Sequence, residues 1–333
     1  MPGSSLPLSR VPPSRDAPPL RWGVMGTGWI AERFVTALRA HTRQLPHAVG
    51  SRNPGSAAAF AADHGLPVAH GSYEHLLGDP SVDVIYVATP HSHHLEAALA
   101  TIAAGKHVVV EKPLGVNADE AERIASAARE QGVYCVEALW TLFLPKFDVL
   151  RQVLDDGAVG EPLSVVADLG DWFDDSHRIR RADLAGGAML DLGTYPVSLA
   201  TWVLGEPADV AALAARTGDV TAQFGAVLRS PVGAIASLFS SIDSITPTTA
   251  MIAGTEGGII LDGPFFMPGR FVVRDRRGPP LVWDEPAVGH QGLHFEAAAV
   301  ARDLAEGRTE SSVRPLRASI ETLRTMDRIT AAG

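Results

Sequence analysis

The chain has 333 residues, 46% of them apolar and 20% charged, with a formal net charge of −10. That length exceeds what one hydrophobic core fills, so two domains are expected, and the balance of apolar to charged residues excludes a disordered chain. The acidic balance excludes broad attraction to nucleic acid or to an anionic membrane, no segment has the ~18 uninterrupted apolar residues of a membrane span, and a single cysteine, Cys135, excludes an intrachain disulfide.

A cytoplasmic location and a small-molecule partner are the corresponding expectations. Residues 1–19 carry Pro2, Pro7, Pro12, Pro13, Pro18 and Pro19 among several serines, without the apolar core of a secretory signal, and are expected to form a flexible tail or an extended arm. An apolar run over 21–25 enters Gly26-Thr27-Gly28-Trp29-Ile30-Ala31, and Ile30, Phe34, Val35 and Leu38 then recur at helical spacing. An apolar patch at 47–50, a helix over 56–64, a strand over 82–88, a helix over 95–104 and a strand over 108–110 continue the alternation, and Val133, Tyr134 and Val136 mark Cys135 as part of a buried strand. Strands separated by helices need crossover connections, so a dinucleotide-binding Rossmann domain is expected over 20–140.

From about residue 160 the pattern changes to alternating segments at 163–168, 208–213, 220–228 and 234–240, which predict antiparallel strands, and helical spacing returns at 292–306 and 315–331. The expected fold class is therefore an α/β Rossmann domain plus an α+β domain with an antiparallel sheet. A second domain would occupy 141–333, with terminal helices that can pack back on the first.

In the glycine loop, Gly26 permits the tight turn, Gly28 lets backbone approach a pyrophosphate, and Ala31 allows close packing of helix on strand. Thr27, Trp29 and Ile30 complete that candidate cofactor loop. The residue that selects the dinucleotide lies at the end of the second strand, where the chain reads Val49-Gly50-Ser51-Arg52-Asn53. A hydroxyl and a guanidinium there, with no carboxylate, suit a 2′-phosphate, so NADP(H) is the expected cofactor through Ser51 and Arg52.

The stretch Ala104-Gly105-Lys106-His107-Val108-Val109-Val110-Glu111-Lys112-Pro113, together with the glycine loop, resembles the Gfo/Idh/MocA oxidoreductase family. Residues 21–31, 115–117, 137–145 and 186–196 look like its dihydrodiol dehydrogenase and NADP-dependent xylose dehydrogenase branch. The resemblance implies a large, open, mostly antiparallel second sheet that mediates dimerisation, with Lys112 as the catalytic lysine. Such a lysine, at the carboxyl end of a parallel strand, can hydrogen-bond a substrate oxygen and stabilise developing negative charge.

Asp191 and Tyr195 stand four apart, which on a helix puts both on one face, and they match the family's aspartate and its following tyrosine or histidine. A tyrosine near a cation can exchange a proton with the substrate, which makes Tyr195 the candidate general acid/base, with Asp191 orienting substrate hydroxyls or assisting Lys112. The resemblance also places Thr89, His91, His94, Glu111 and Lys112 at the dinucleotide. Trp140, Phe143, Trp172 and Arg178 are pocket-lining candidates by position. The run His91-Ser92-His93-His94 lacks the carboxylates or cysteines that would complete a metal site, and none is expected.

These features predict hydride transfer between NADP(H) and a sugar or dihydrodiol-like substrate. Two alternatives stand beside it: a redox-neutral sugar enzyme with a retained dinucleotide, a glycosidase or sugar–sugar oxidoreductase in which the proline-rich arm would hold the cofactor, and a non-catalytic dinucleotide sensor.

Overall fold

The computed structural model describes residues 5–276 and 278–333, which divide into two compact units. One comprises residues 12–143 and 288–319; the other comprises 144–287 with the segment ending at residue 11 and the segment from residue 320. Among the described residues no helix is long and apolar enough to cross a membrane.

The first unit is built on six parallel strands: β1 Arg21–Met25, β2 Leu45–Gly50, β3 Val68–His70, β4 Val84–Val87, β5 His107–Glu111 and β6 Cys135–Ala138. Their order, β3-β2-β1-β4-β5-β6, is that of a Rossmann sheet. Strand β4 is buried along its whole length, as parallel strands covered by helices on both faces must be. The crossover helices are α1 Trp29–His41, α2 Pro54–His64, α3 Tyr73–Leu77, α4 His94–Ala103 and α5 Ala118–Gln131. Helix α1 buries Ala31, Phe34, Val35, Ala37 and Leu38 as one stripe, and the Phe34 ring stacks on Tyr86 of β4 and meets Trp22 of β1 edge-on. Asn53 and Asn117 start α2 and α5 by accepting hydrogen bonds from backbone N–H groups, with Pro54 in the first helical position of α2. β3, α3 and α5 go beyond the elements expected from the sequence.

The second unit carries α6 Pro145–Asp155, α7 Thr194–Leu204 and strands β7 Pro162–Gly170, β8 Asp209–Thr217, β9 Val220–Arg229, β10 Ile235–Ser241, β11 Ala250–Gly254, β12 Gly257–Leu261, β13 Phe271–Asp275 and β14 Leu281–Trp283. They form one mixed, mostly antiparallel sheet in the order β14-β13-β12-β11-β7-β10-β9-β8, with only β7 and β10 parallel. Helix α7 packs across β7 and β10, and Val165, Ala167, Ala236, Leu238 and Ile252 are buried. In the alternate positions the register aligns Val227, Val166, Met251, Ile260 and Val282 across the strands, each 37% to 49% exposed.

The block expected to run from 141 to 333 is therefore interrupted, since 288–319 belongs with the first unit. There, Ala298 and Ala301 of α8 His294–Ala305 pack on Ala17 and Leu20, the Ser14 hydroxyl meets His294 Nδ1 at 2.8 Å, and Arg302 donates to the Pro13 carbonyl. In the second unit Arg10 forms a two-pronged pair with Asp148 of α6, and the Leu8 carbonyl accepts from Gln152. Of the two forms expected for the N-terminal segment, residues 8–20 take the extended arm. The arm also meets α1, where Arg15 donates to the Ala40 carbonyl at 3.0 Å, and Gln44, which donates to the Pro18 carbonyl at 2.7 Å; residues 1–4 lie outside the described residues.

Candidate active site

Strands β1 and β4 are neighbours at the point where the order of the first sheet reverses, the place where open α/β sheets take their ligands. Gly26 follows β1 directly at φ +114°, and a Cβ there would stand 2.7 Å from the Ala88 carbonyl oxygen, so no other residue fits. Its N–H donates to the Gly50 carbonyl at 3.0 Å, which ties the turn to the end of β2. Gly28 caps α1, and nothing lies within 4 Å of where its Cβ would be. The first turn of α1, which begins at exposed Trp29 with Ile30 after it, thus offers amide donors and a positive dipole end beside open space. Thr89, just past β4, is buried, and its hydroxyl has no hydrogen-bonding partner among the described residues. An open glycine cradle and an orphaned hydroxyl fit a pyrophosphate-bearing dinucleotide.

At the end of β2, Ser51 is buried; its N–H donates to the His70 carbonyl of β3 and its Oγ accepts from the Asn53 N–H. Arg52 is exposed, and its cation lies near the phenol of Tyr73, the first residue of α3. Burial pushes the Tyr73 phenol up, and the Arg52 cation opposes that shift. Tyr73 was not foreseen, because a five-residue helix leaves little periodicity to read.

Lys112 follows β5, on the same carboxyl edge as the glycine turn and two strands away, and it is joined to Pro113 by a cis peptide bond. Glu111, buried, accepts from the Lys112 N–H at 3.1 Å and from the Tyr86 hydroxyl. His94 is fully buried, with one ring nitrogen 2.7 Å from the Pro113 carbonyl and the other 3.0 Å from the Thr89 carbonyl. His94 thus ties the turn after β4 to the turn after β5. Glu111 likewise braces the lysine turn. Buried His91 stands edge-on to His94, with ring centroids 5.5 Å apart.

The second unit holds the other candidates. Residues Met189–Gly193 form a π-helical turn and α7 begins only at Thr194, so a change in helical pitch falls between Asp191 and Tyr195. Asp191 is buried and accepts from Arg178 at 2.8 Å, a charge-assisted pair that leaves the guanidinium 44% exposed. Tyr195 is buried and stacks on Phe266 with centroids 4.3 Å apart. Phe266 was missed because it stands in the irregular segment between β12 and β13. Trp172 is 61% exposed and bridges to Asp243. Trp140 and Phe143, expected to line a pocket, are buried in a 3-10 turn over Trp140–Phe143.

Comparison with known proteins agrees with both halves of this layout. A family model described as an oxidoreductase family with an NAD-binding Rossmann fold matches residues 20–138, and one for the GFO/IDH/MocA C-terminal domain matches residues 147–260. The chain is 38% identical over 309 residues to trans-1,2-dihydrobenzene-1,2-diol dehydrogenase of Mus musculus and 37% identical over 311 residues to that of Bos taurus, in each case spanning 89% of this chain and 92% of the relative. A 3-ketoreductase from Actinomadura kijaniata, solved in complex with NADP and TDP-benzene, superimposes with a TM-score of 0.84 at 28% identity, covering 95% of this chain and 98% of that one.

Proposed function

The chain belongs to the Gfo/Idh/MocA oxidoreductase family, and on that premise we propose that it is an NADP(H)-dependent dehydrogenase that oxidises a CH–OH group of a trans-dihydrodiol or sugar, or reduces the corresponding carbonyl. The observation that carries this reading is Lys112, held by Glu111 at the carboxyl edge of β5, on the same edge as the open glycine turn.

The dinucleotide supplies the hydride acceptor in oxidation and the hydride donor in reduction. Gly26, Thr27, Gly28 and the first turn of α1 take its pyrophosphate, with Thr89 offering a hydroxyl. Ser51 and Arg52, with no carboxylate beside them, favour the 2′-phosphate of NADP. The ammonium of Lys112 hydrogen-bonds the substrate oxygen and stabilises the negative charge that develops there. Tyr195 accepts the hydroxyl proton in oxidation and returns it in reduction. Asp191, oriented by Arg178, holds the neighbouring substrate hydroxyl. The apolar row Val227, Val166, Met251, Ile260 and Val282 is the face through which two copies pair.

Nucleotide-free protein titrated in parallel with NADPH and NADH, then assayed with NADP against trans-dihydrodiols and aldoses, tests the reading. The expected result is tighter NADPH binding and NADP-dependent oxidation that Lys112→Met abolishes. An equal or greater affinity for NADH overturns the cofactor assignment, and activity untouched by Lys112→Met overturns the mechanism.

A further inference from the structure

His290 lies in the 3-10 turn Gly289–Leu293 before α8, and this turn packs against α1. Its neighbour Gln291 meets His41 Nε2 at 2.7 Å. The His290 ring stands edge-on to Trp29, the first residue of α1, with centroids 4.8 Å apart and planes at 79°. The Trp140 ring lies 5.5 Å from it at a tilt of 30°. One turn along α1, the Arg33 guanidinium sits 5.6 Å from the centre of the Trp29 indole. Two indoles thus fix an imidazole next to the residue that follows Gly28.

Burial, and after it the nearby Arg33 and Lys112 cations, hold the His290 imidazole below its ordinary range, so near pH 7 it is neutral, with one N–H donor and one acceptor. Two cations and a neutral donor beside the start of α1 suit a diphosphate. The sheet order also says which half of the ligand is involved. Ser51 and Arg52 follow β2, on one side of β1, whereas Lys112 follows β5, on the other. His290 packs on Trp29 and on Trp140, which follows β6 on the Lys112 side of the sheet, so it belongs to the side away from the adenosine phosphate.

We infer that His290 contacts the bound dinucleotide on its pyrophosphate–nicotinamide half and slows its release, an assignment that rests on the dinucleotide reading above. His290 is thereby a cofactor-holding residue supplied by the far end of the chain.

The test uses the full-length protein stripped of nucleotide, with NADPH binding followed by fluorescence and release by stopped flow. His290→Ala is expected to raise the Kd for NADPH about tenfold, mainly through faster release, the size of one hydrogen bond to a charged group. Adenosine 2′,5′-bisphosphate, which lacks the nicotinamide half, is expected to bind both proteins equally. His290→Gln keeps an N–H donor and is expected to restore most of the affinity. Unchanged NADPH release in His290→Ala overturns the inference. So does equal weakening of both ligands, or an equal loss in the Ala and Gln variants, either of which marks a packing role. A folded wild-type protein that binds neither NADPH nor NADH overturns the dinucleotide reading as well, whereas the other outcomes overturn this one alone.

Discussion

Glu137 and Arg314, 177 positions apart in the chain, form an ion pair at 2.7 Å with side chains only 1% and 2% exposed. The same carboxylate accepts from the Leu114 N–H at 3.0 Å and from the Ser319 hydroxyl at 2.7 Å. The pair therefore ties the end of β6 to the turn that carries Lys112 and Pro113. Removing one partner strands a buried charge, so Arg314→Ala is expected to cost about 3–5 kcal/mol in urea unfolding. A loss below about 1 kcal/mol would show that water reaches Glu137.

Arg52 tests cofactor choice. Losing a charge-assisted contact to the 2′-phosphate is expected to weaken NADPH binding by about 10- to 100-fold in Arg52→Ala and to leave NADH within about threefold. Calorimetric titration with both nucleotides reads the difference directly, and a parallel loss for both assigns Arg52 to some part of the ligand that they share.

Lys112 and Tyr195 are expected to act on the chemical step. Lys112→Met and Tyr195→Phe should each lower kcat by about 10²–10³, with NADPH binding changed by only a few-fold. Steady-state rates measured beside binding on the same preparations separate this from a role in holding the cofactor, which would raise the Kd instead.

The exposed row on the second sheet predicts an oligomer. Charging it at two facing positions, Val166→Arg with Met251→Arg, is expected to convert a dimer to monomer in light scattering without loss of secondary structure. A wild-type protein that is monomeric at micromolar concentration would contradict the assignment of that face.

Burial, followed by the neighbouring His41, lowers the His294 imidazole to about 4, against about 6.5 for an exposed histidine. The unfolded chain then binds the proton more readily than the folded one. The stability linked to this group is full above about pH 6.5 and falls as pH drops toward 4, by roughly 1–3 kcal/mol. His294→Gln, which can keep the contact with Ser14 without titrating, is expected to flatten that part of the stability–pH curve measured by denaturant unfolding.

What could be read in the sequence depended on how local the cause was. Gly26 was legible because a positive φ and a 2.7 Å approach to the Ala88 carbonyl restrict one position to one residue type. Lys112 was legible through its motif, since a lysine after a buried strand is otherwise unremarked. The π-helical turn at Asp191 was not legible in the four-residue spacing to Tyr195, because such a turn carries no apolar period of its own. Helix α7, with Tyr195, Pro196, Val197, Leu199 and Ala200 all buried, shows no polar face to mark it. Trp140 and Phe143 have the composition of a pocket wall and of a core alike, and their residue types do not separate the two. The membership of 288–319 in the first unit rests on Glu137 with Arg314 and on Tyr134 with Asp303, pairings that no local pattern announces.

Because the Rossmann unit is written in two stretches, its completion is tied to translation. A ribosome finishes β6 with the whole second sheet still to be made, and the counter-ion of Glu137 emerges only after it. Until Arg314 clears the exit tunnel, the nascent strands can pair but cannot bury that carboxylate without cost. The cofactor-binding half is begun first and sealed last, so a chain that stops before residue 314 leaves its nucleotide site on an unfinished core.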